Sequence, residues 1–212
     1  MIASEGKIII VSILIMVMIA FILNLFFLIK SIKLVILMLI ILLAFNIYFF
    51  RDPIRVIPPG DNFISPADGK IININQINDS DLGESILVSI FLSIWDVHCQ
   101  TVPSSGKIIL KRKENGKNIL AYKRAASEKN TSISTIIETE IGIKYKIKQI
   151  TGMIARRILN YMETDCYVKK GQRLGFIMFG SRVDIVLPKN FNLYVSLGEK
   201  VIGNKTIIGN FI

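Results

Sequence analysis

The chain has 212 residues, 51% of them hydrophobic and 20% charged, with 26 Lys and Arg against 16 Asp and Glu and a formal net charge of +10. That apolar content excludes a disordered or acidic polypeptide, and two cysteines exclude a disulfide scaffold. The first fifty residues are so apolar that about 160 remain for a folded unit, enough for one catalytic domain.

Residues 8–29 are apolar apart from Ser12 and Asn24, and after Lys30-Ser31-Ile32-Lys33 a second run covers residues 34–50, interrupted only by Asn46 and Tyr48. The first is long enough to span a bilayer and the second is borderline. A signal peptide fits poorly, because the apolar stretch is too long, resumes after the two lysines and meets no small-x-small cleavage site. Residues 1–50 are therefore expected to be a helical membrane anchor. A hairpin with both ends in the cytoplasm puts Lys30 and Lys33 outside, against the positive-inside tendency. Arg51, Arg55 and the basic segment after them favour a cytoplasmic domain, and a shallow re-entrant hairpin eases the conflict.

Ile57-Pro58-Pro59-Gly60-Asp61 reads as a stiff connector, so the boundary is expected near residue 51, with one domain over 51–212. Short β-branched runs predict strands at 70–77, 85–94, 106–112, 119–125, 132–139, 143–150, 175–179, 183–187 and 192–197. The run from Ile143 to Lys148 alternates cleanly and predicts a half-exposed strand; residues 153–161 predict the one soluble helix. The fold class is mainly β (α+β), preceded by the hydrophobic helical anchor. Three of the 26 bases and one of the 16 acids precede residue 51, leaving 23 positive against 15 negative side chains on the domain. An anionic membrane surface is the expected partner, ahead of nucleic acid. The densest cluster is Lys107, Lys111, Arg112, Lys113, Lys117, Lys123, Arg124 and Lys129. Cys99 and Cys166 lack metal-ligand spacing and read as free thiols in a reducing compartment; no metal is implied.

Four motifs carry the chemistry. They are Ser65-Pro66-Ala67-Asp68-Gly69-Lys70, then Phe91-Leu92-Ser93-Ile94-Trp95-Asp96-Val97-His98 leading to Pro103 and Gly106. Lys170-Gly171-Gln172-Arg173-Leu174-Gly175 follows, then Phe179-Gly180-Ser181-Arg182-Val183-Asp184-Ile185-Val186-Leu187-Pro188. Alone, each is ordinary: Pro66 to Gly69 is a β-turn, and Gly180-Ser181 is a turn or bulge between strands. In this order, behind a hydrophobic N-terminus, the set resembles the phosphatidylserine decarboxylase proenzymes in their short, membrane-anchored form, over residues 49–212.

The resemblance implies cleavage between Gly180 and Ser181, giving chains 1–180 and 181–212 that stay associated. The Ser181 hydroxyl attacks the Gly180 carbonyl, the ester breaks by β-elimination, and hydrolysis leaves a pyruvoyl group at residue 181 as the cofactor. A Schiff base between that ketone and phosphatidylserine then drives decarboxylation to phosphatidylethanolamine at the cell membrane, on its cytoplasmic side. Carried over by motif, the maturation triad is Asp68, His98 and Ser181, with His98 as base and Asp68 orienting the imidazole. His98, the only histidine in the chain, is also the expected proton donor to the α-carbon, with Asp68 as the second candidate. Longer members carry a second histidine where this chain has Thr101. Asp96 is an alternative participant, expected to point the same way as His98 on one strand. Phe63, Ile64, Phe91 and Trp95 are apolar residues near the motifs that read either as lipid contacts or as core. A hydrolase that keeps Ser181 as a hydroxyl and a non-catalytic module like biotinyl carrier domains remain as competing readings, and a homo-oligomer stays open.

Overall fold

The two apolar runs become α1 (Ser4–Phe27) and α2 (Lys30–Phe49). At about 1.5 Å per residue they are about 36 and 30 Å long, against a hydrocarbon layer of about 30 Å. Large apolar side chains stand exposed around both, such as Phe26 at 78% and Ile41 at 61%. Such a helix suits lipid rather than water, and both are long and apolar enough to anchor the chain in a membrane. They pack as an antiparallel hairpin whose open end is tied by Ala3 N–H to Phe50 O (2.7 Å) and Asp52 N–H to Met1 O (2.7 Å). Lys30 and Lys33 therefore lie at the closed end. In this computed structural model all of residues 1–212 are described except 28–29, 118, 123–125, 153–156 and 179–180. The chain divides into two units, Met1–Ile54 and Arg55–Ile212.

The second unit is β-rich. Its strands are β1 (Phe63–Ile64), β2 (Gly69–Asp79), β3 (Gly83–Leu92), β4 (Cys99–Thr101), β5 (Gly106–Glu114), β6 (Ser132–Glu138) and β7 (Lys144–Thr151). They continue with β8 (Ile158–Asn160), β9 (Tyr167–Val168), β10 (Arg173–Ile177), β11 (Ser181–Pro188), β12 (Asn192–Leu193), β13 (Lys200–Val201) and β14 (Ile207–Asn210). A short helix, α3 (Ala126–Lys129), precedes β6. Eight strands form one sheet in the order β13-β2-β3-β11-β7-β6-β5-β9; β4-β10-β8 and β1-β14-β12 form two smaller ones. β11 thus lies deep inside the large sheet, paired antiparallel with β3 and β7. Val183, Ile185 and Leu187 on one face of β11 join Ile90, Leu92, Ile147 and Phe63 in the core.

The expected strands 70–77, 85–94, 106–112, 132–139, 143–150 and 183–187 are present with ends shifted by at most two residues. Three expectations are corrected. Residues 158–160 of the expected helix are strand β8, because their backbone pairs with β10, where the bare backbone of Gly175 lies under Leu159; a Cβ there would stand 2.0 Å from Leu159 O. Residues 153–156 of that expectation lie outside the described residues. The expected strand at 119–125 is not one at Ile119–Tyr122, since the Asn130 side chain replaces a neighbouring strand, accepting from Ile119 N–H (2.9 Å) and donating to Ile119 O (2.8 Å). Of the run 192–197 only Asn192–Leu193 is strand.

The alternation over 143–148 is real, but its polar face is covered. Lys146 is only 5% exposed, and its Nζ donates to Asp79 Oδ1 (2.6 Å) at the end of β2 and to Asp81 Oδ2 (2.8 Å) on the turn that follows. The Lys146 ammonium, chiefly by hydrogen bonding, holds the Asp81 carboxyl below its ordinary value of 3.8; Lys148 does the same for Glu114, below 4.5. A depressed folded-state value stabilises the fold above the ordinary value, and that stability is lost as pH falls through the folded one. We expect the melting temperature of the wild-type protein to fall as pH drops below about 4.5, towards the folded-state values. In Asp81→Asn the melting temperature should start lower and decline less steeply over that window. Equal slopes in a thermal melt series would contradict the assignment.

Candidate active site

Residue 181 is set by its strand neighbours. In the ladder Ser181 lies between Leu92 of β3 and Thr151 of β7. Side chains alternate along a strand, so Ser181 shares its face with the core residues Val183 and Ile185, whereas Arg182 and Asp184 occupy the other. Ser181 is fully buried, and among the described residues its Oγ has no hydrogen-bond partner. A buried hydroxyl left unpartnered is costly and uncommon. Gly180 and Phe179 lie outside the described residues.

His98 is brought to the same end of the sheet. β3 ends at Leu92, opposite Ser181, and residues 93–98 then turn into β4, where Cys99 pairs with Phe176 of β10. β10 ends at Ile177, four residues before Ser181. The expectation that His98 and Asp96 share an extended strand is therefore corrected. The segment is a turn in which the Asp96 carboxylate accepts from Ser93 N–H (2.8 Å) and caps it. His98 is fully buried, its Nδ1 is 2.9 Å from Asp96 O, and its ring lies 6.4 Å from that of Phe176. An Nδ1–H donating to that carbonyl leaves Nε2 as a lone-pair acceptor, the tautomer a general base requires.

A buried amide chain holds this turn from behind. Gln100 Nε2 donates to His98 O (2.6 Å), Gln149 Nε2 to Gln100 Oε1 (2.9 Å), and Asn160 Nδ2 to Gln149 Oε1 (2.9 Å). Gln100 and Gln149 are both fully buried. Sequence reasoning missed them, although two polar residues within otherwise apolar strand faces were a visible signal.

Asp68 goes elsewhere. Its carboxylate is gripped by the Arg55 guanidinium through both oxygens, with Nη2 to Oδ2 at 2.7 Å, and accepts Gly203 N–H at 2.8 Å. Among the described residues it makes no hydrogen bond to His98. Beside Gly203, Asn204 Oδ1 accepts the Thr101 hydroxyl at 2.6 Å. Thr101 is thus tied to the loop that holds Asp68. Gly69 follows because β2 must start flush against β3: a Cβ there would stand 2.3 Å from Phe91 O. Arg55, read from sequence only as a topology signal, is the partner that sequence reasoning overlooked.

Phe63 and Ile64 are fully buried, so they belong to the core rather than to a lipid contact, whereas Trp95 is 60% exposed on the turn that carries His98. The basic cluster is partly engaged by the domain's own groups: Lys107 pairs with Asp165 (2.9 Å), Arg112 with Asp81 (2.8 Å), and Lys111 donates to Met162 O (2.8 Å). Lys123 and Arg124 lie outside the described residues. Cys99 and Cys166 are free thiols. Among the described residues no group of three His, Cys, Asp or Glu is placed to hold a metal ion.

A family model described as phosphatidylserine decarboxylase matches residues 42–209. A phosphatidylserine decarboxylase proenzyme of Geotalea uraniireducens is 38% identical over 172 residues, 80% of this chain and 81% of the relative. That of Desulfotalea psychrophila is 40% identical over 172 residues, 80% of each chain, and that of Rickettsia bellii 45% identical over 174 residues, 79% of this chain and 75% of the relative.

Proposed function

The chain belongs to the phosphatidylserine decarboxylase family, and from that premise we propose that it cuts itself between Gly180 and Ser181 and then converts phosphatidylserine to phosphatidylethanolamine and carbon dioxide. The observation that carries this reading is the buried, unpartnered Ser181 Oγ at the end of a core strand. A structural serine would satisfy its hydroxyl there; a nucleophile awaiting a carbonyl would not. His98, with Nδ1 turned to Asp96 O, takes the hydroxyl proton through Nε2 as Oγ attacks the Gly180 carbonyl, and returns it to the departing amide nitrogen. The ester then loses its α-proton and the Gly180 carboxylate. Water replaces ammonia at the resulting dehydroalanine, and residue 181 becomes a pyruvoyl group. Through a Schiff base with the serine amine of the lipid, that ketone supplies the electron sink for loss of carbon dioxide. His98, still seated on Asp96 O, delivers the proton to the α-carbon.

Asp68 serves from one step further out. Its carboxylate and Arg55 fix Gly203, and Asn204 beside it holds Thr101, on the strand that follows His98. Arg55→Ala and Asp68→Asn should therefore slow self-cleavage to a similar degree, about tenfold each. Normal cleavage in Arg55→Ala alongside a block in Asp68→Asn would instead show a carboxylate acting on His98 directly.

The substrate stays in the bilayer, since each methylene moved into water costs about 0.8 kcal/mol. The anchor helices and the basic domain suit an anionic membrane surface, with the domain on the cytoplasmic side. A denaturing gel and intact mass of the purified protein test the whole reading. Two chains, 1–180 and 181–212, are expected, the shorter one trapped by a carbonyl-reactive amine; an uncut chain that decarboxylates the lipid at full rate overturns it.

A further inference from the structure

Directly behind the scissile position lies a buried ion pair to which the chemistry above assigns no role. Arg182 and Asp184 are 2% and 1% exposed on the face of β11 opposite Ser181. Arg182 Nε donates to Asp184 Oδ1 at 2.6 Å and Arg182 Nη2 to Ser89 Oγ at 2.7 Å, while Ser127 Oγ donates to Asp184 Oδ2 at 2.7 Å. Ser89 is the ladder partner of Asp184 on β3, and Ser127 comes from α3. Removing two charges from water is expensive, and an apolar pair would serve stability as well or better.

Self-cleavage makes residue 181 a chain end, and chain ends fray unless they are tied down. The nitrogen of residue 181 departs as ammonia, so the new end has no N–H to give to β3 or β7. The first side chain anchored behind it is that of Arg182. We propose that Arg182, Asp184, Ser89 and Ser127 form a clamp that positions residue 181 during maturation and keeps its ketone in the sheet afterwards. The inference rests on the self-cleaving reading above.

The ester joining Gly180 to the residue 181 oxygen has two fates. In elimination the α-proton goes to a base, the Cβ–Oγ bond breaks and Gly180 leaves as a carboxylate; water then enters at the dehydroalanine and ammonia leaves, giving the ketone. In hydrolysis water adds at the ester carbonyl, Gly180 again leaves as a carboxylate, and the small chain begins with an intact serine. Elimination needs a fixed angle between the α C–H and the Cβ–Oγ bond, whereas hydrolysis needs only water. A loosened residue 181 therefore shifts the products towards serine.

The test is the intact mass of the small chain from the full-length protein, where the ketone form is lighter than the serine form by the elements of ammonia. Wild type, Arg182→Lys, Asp184→Asn and Ser89→Ala are compared at equal extents of cleavage. The wild-type chain should be almost entirely ketone-ended, and the serine-ended share should rise about tenfold in the two ion-pair variants and less in Ser89→Ala. A merely structural pair would change melting temperature and yield but not this ratio. Folded variants with the wild-type ratio overturn the clamp and leave self-cleavage standing; an uncut wild type overturns both. If the ion-pair variants do not fold, Ser89→Ala decides: an unaltered ratio in it counts against the clamp.

Discussion

Replacing Ser181 by alanine should leave one polypeptide of 212 residues that releases no carbon dioxide from phosphatidylserine. The substitution removes both the nucleophile for chain cleavage and the atoms from which the ketone is made, so the loss in a turnover assay is complete rather than graded. The structure adds an expectation that separates this loss from misfolding. Because Ser181 Oγ is buried without a hydrogen-bond partner, alanine deletes no bond and relieves a desolvated hydroxyl. The melting temperature should stay level or rise. An alanine variant that is still cut, or that keeps its activity uncut, is incompatible with the proposed function. A variant that is inactive and strongly destabilised would mean that the hydroxyl is structural.

His98→Asn should slow self-cleavage by about 10²–10⁴-fold, the usual worth of a general acid or base. Asparagine is the informative substitute. Its Nδ2 sits near the place of the imidazole Nδ1, so the bond to Asp96 O (2.9 Å in the wild type) is kept while the group at Nε2 disappears. Position is retained and proton transfer is lost. The measurement is the half-time of chain cleavage on a denaturing gel, followed in parallel with thermal melting. Cleavage at the wild-type rate would remove His98 from the mechanism and leave a buried histidine whose work is to hold the 93–98 turn.

The strands that carry the chemistry were legible because their side chains alternate or run apolar, as in Ser181–Pro188 and Gly83–Leu92. The helix expected at 153–161 failed where tertiary pairing outweighed local pattern: an apolar period of three or four over so short a stretch cannot compete with the backbone of β10, which offers Ile158–Asn160 a full set of partners. Strands of two or three residues, such as Phe63–Ile64 and Cys99–Thr101, are too short to show a period at all. Within the candidate site, sequence named Ser181, His98 and Asp68 as candidates, yet the contacts of Asp68 depended on Arg55 and Gly203, 13 and 135 residues away. No local pattern can report such a contact. Arg182 and Asp184 were visible as two charges in an apolar strand, but only the sheet shows that both turn away from Ser181.

Because β11 is an inner strand of the large sheet while β13 and β14 pair with β2 and β1, the segment after residue 180 is woven through strands supplied by the segment before it. If the chain is cut there as proposed, the halves could not drift apart without melting the whole fold, so scission would be an irreversible commitment written into the topology. Once unfolded, a chain so cut would recover only through an encounter between two molecules, falling off with dilution; an uncut Ser181→Ala chain, carrying both halves on one thread, would have no such handicap.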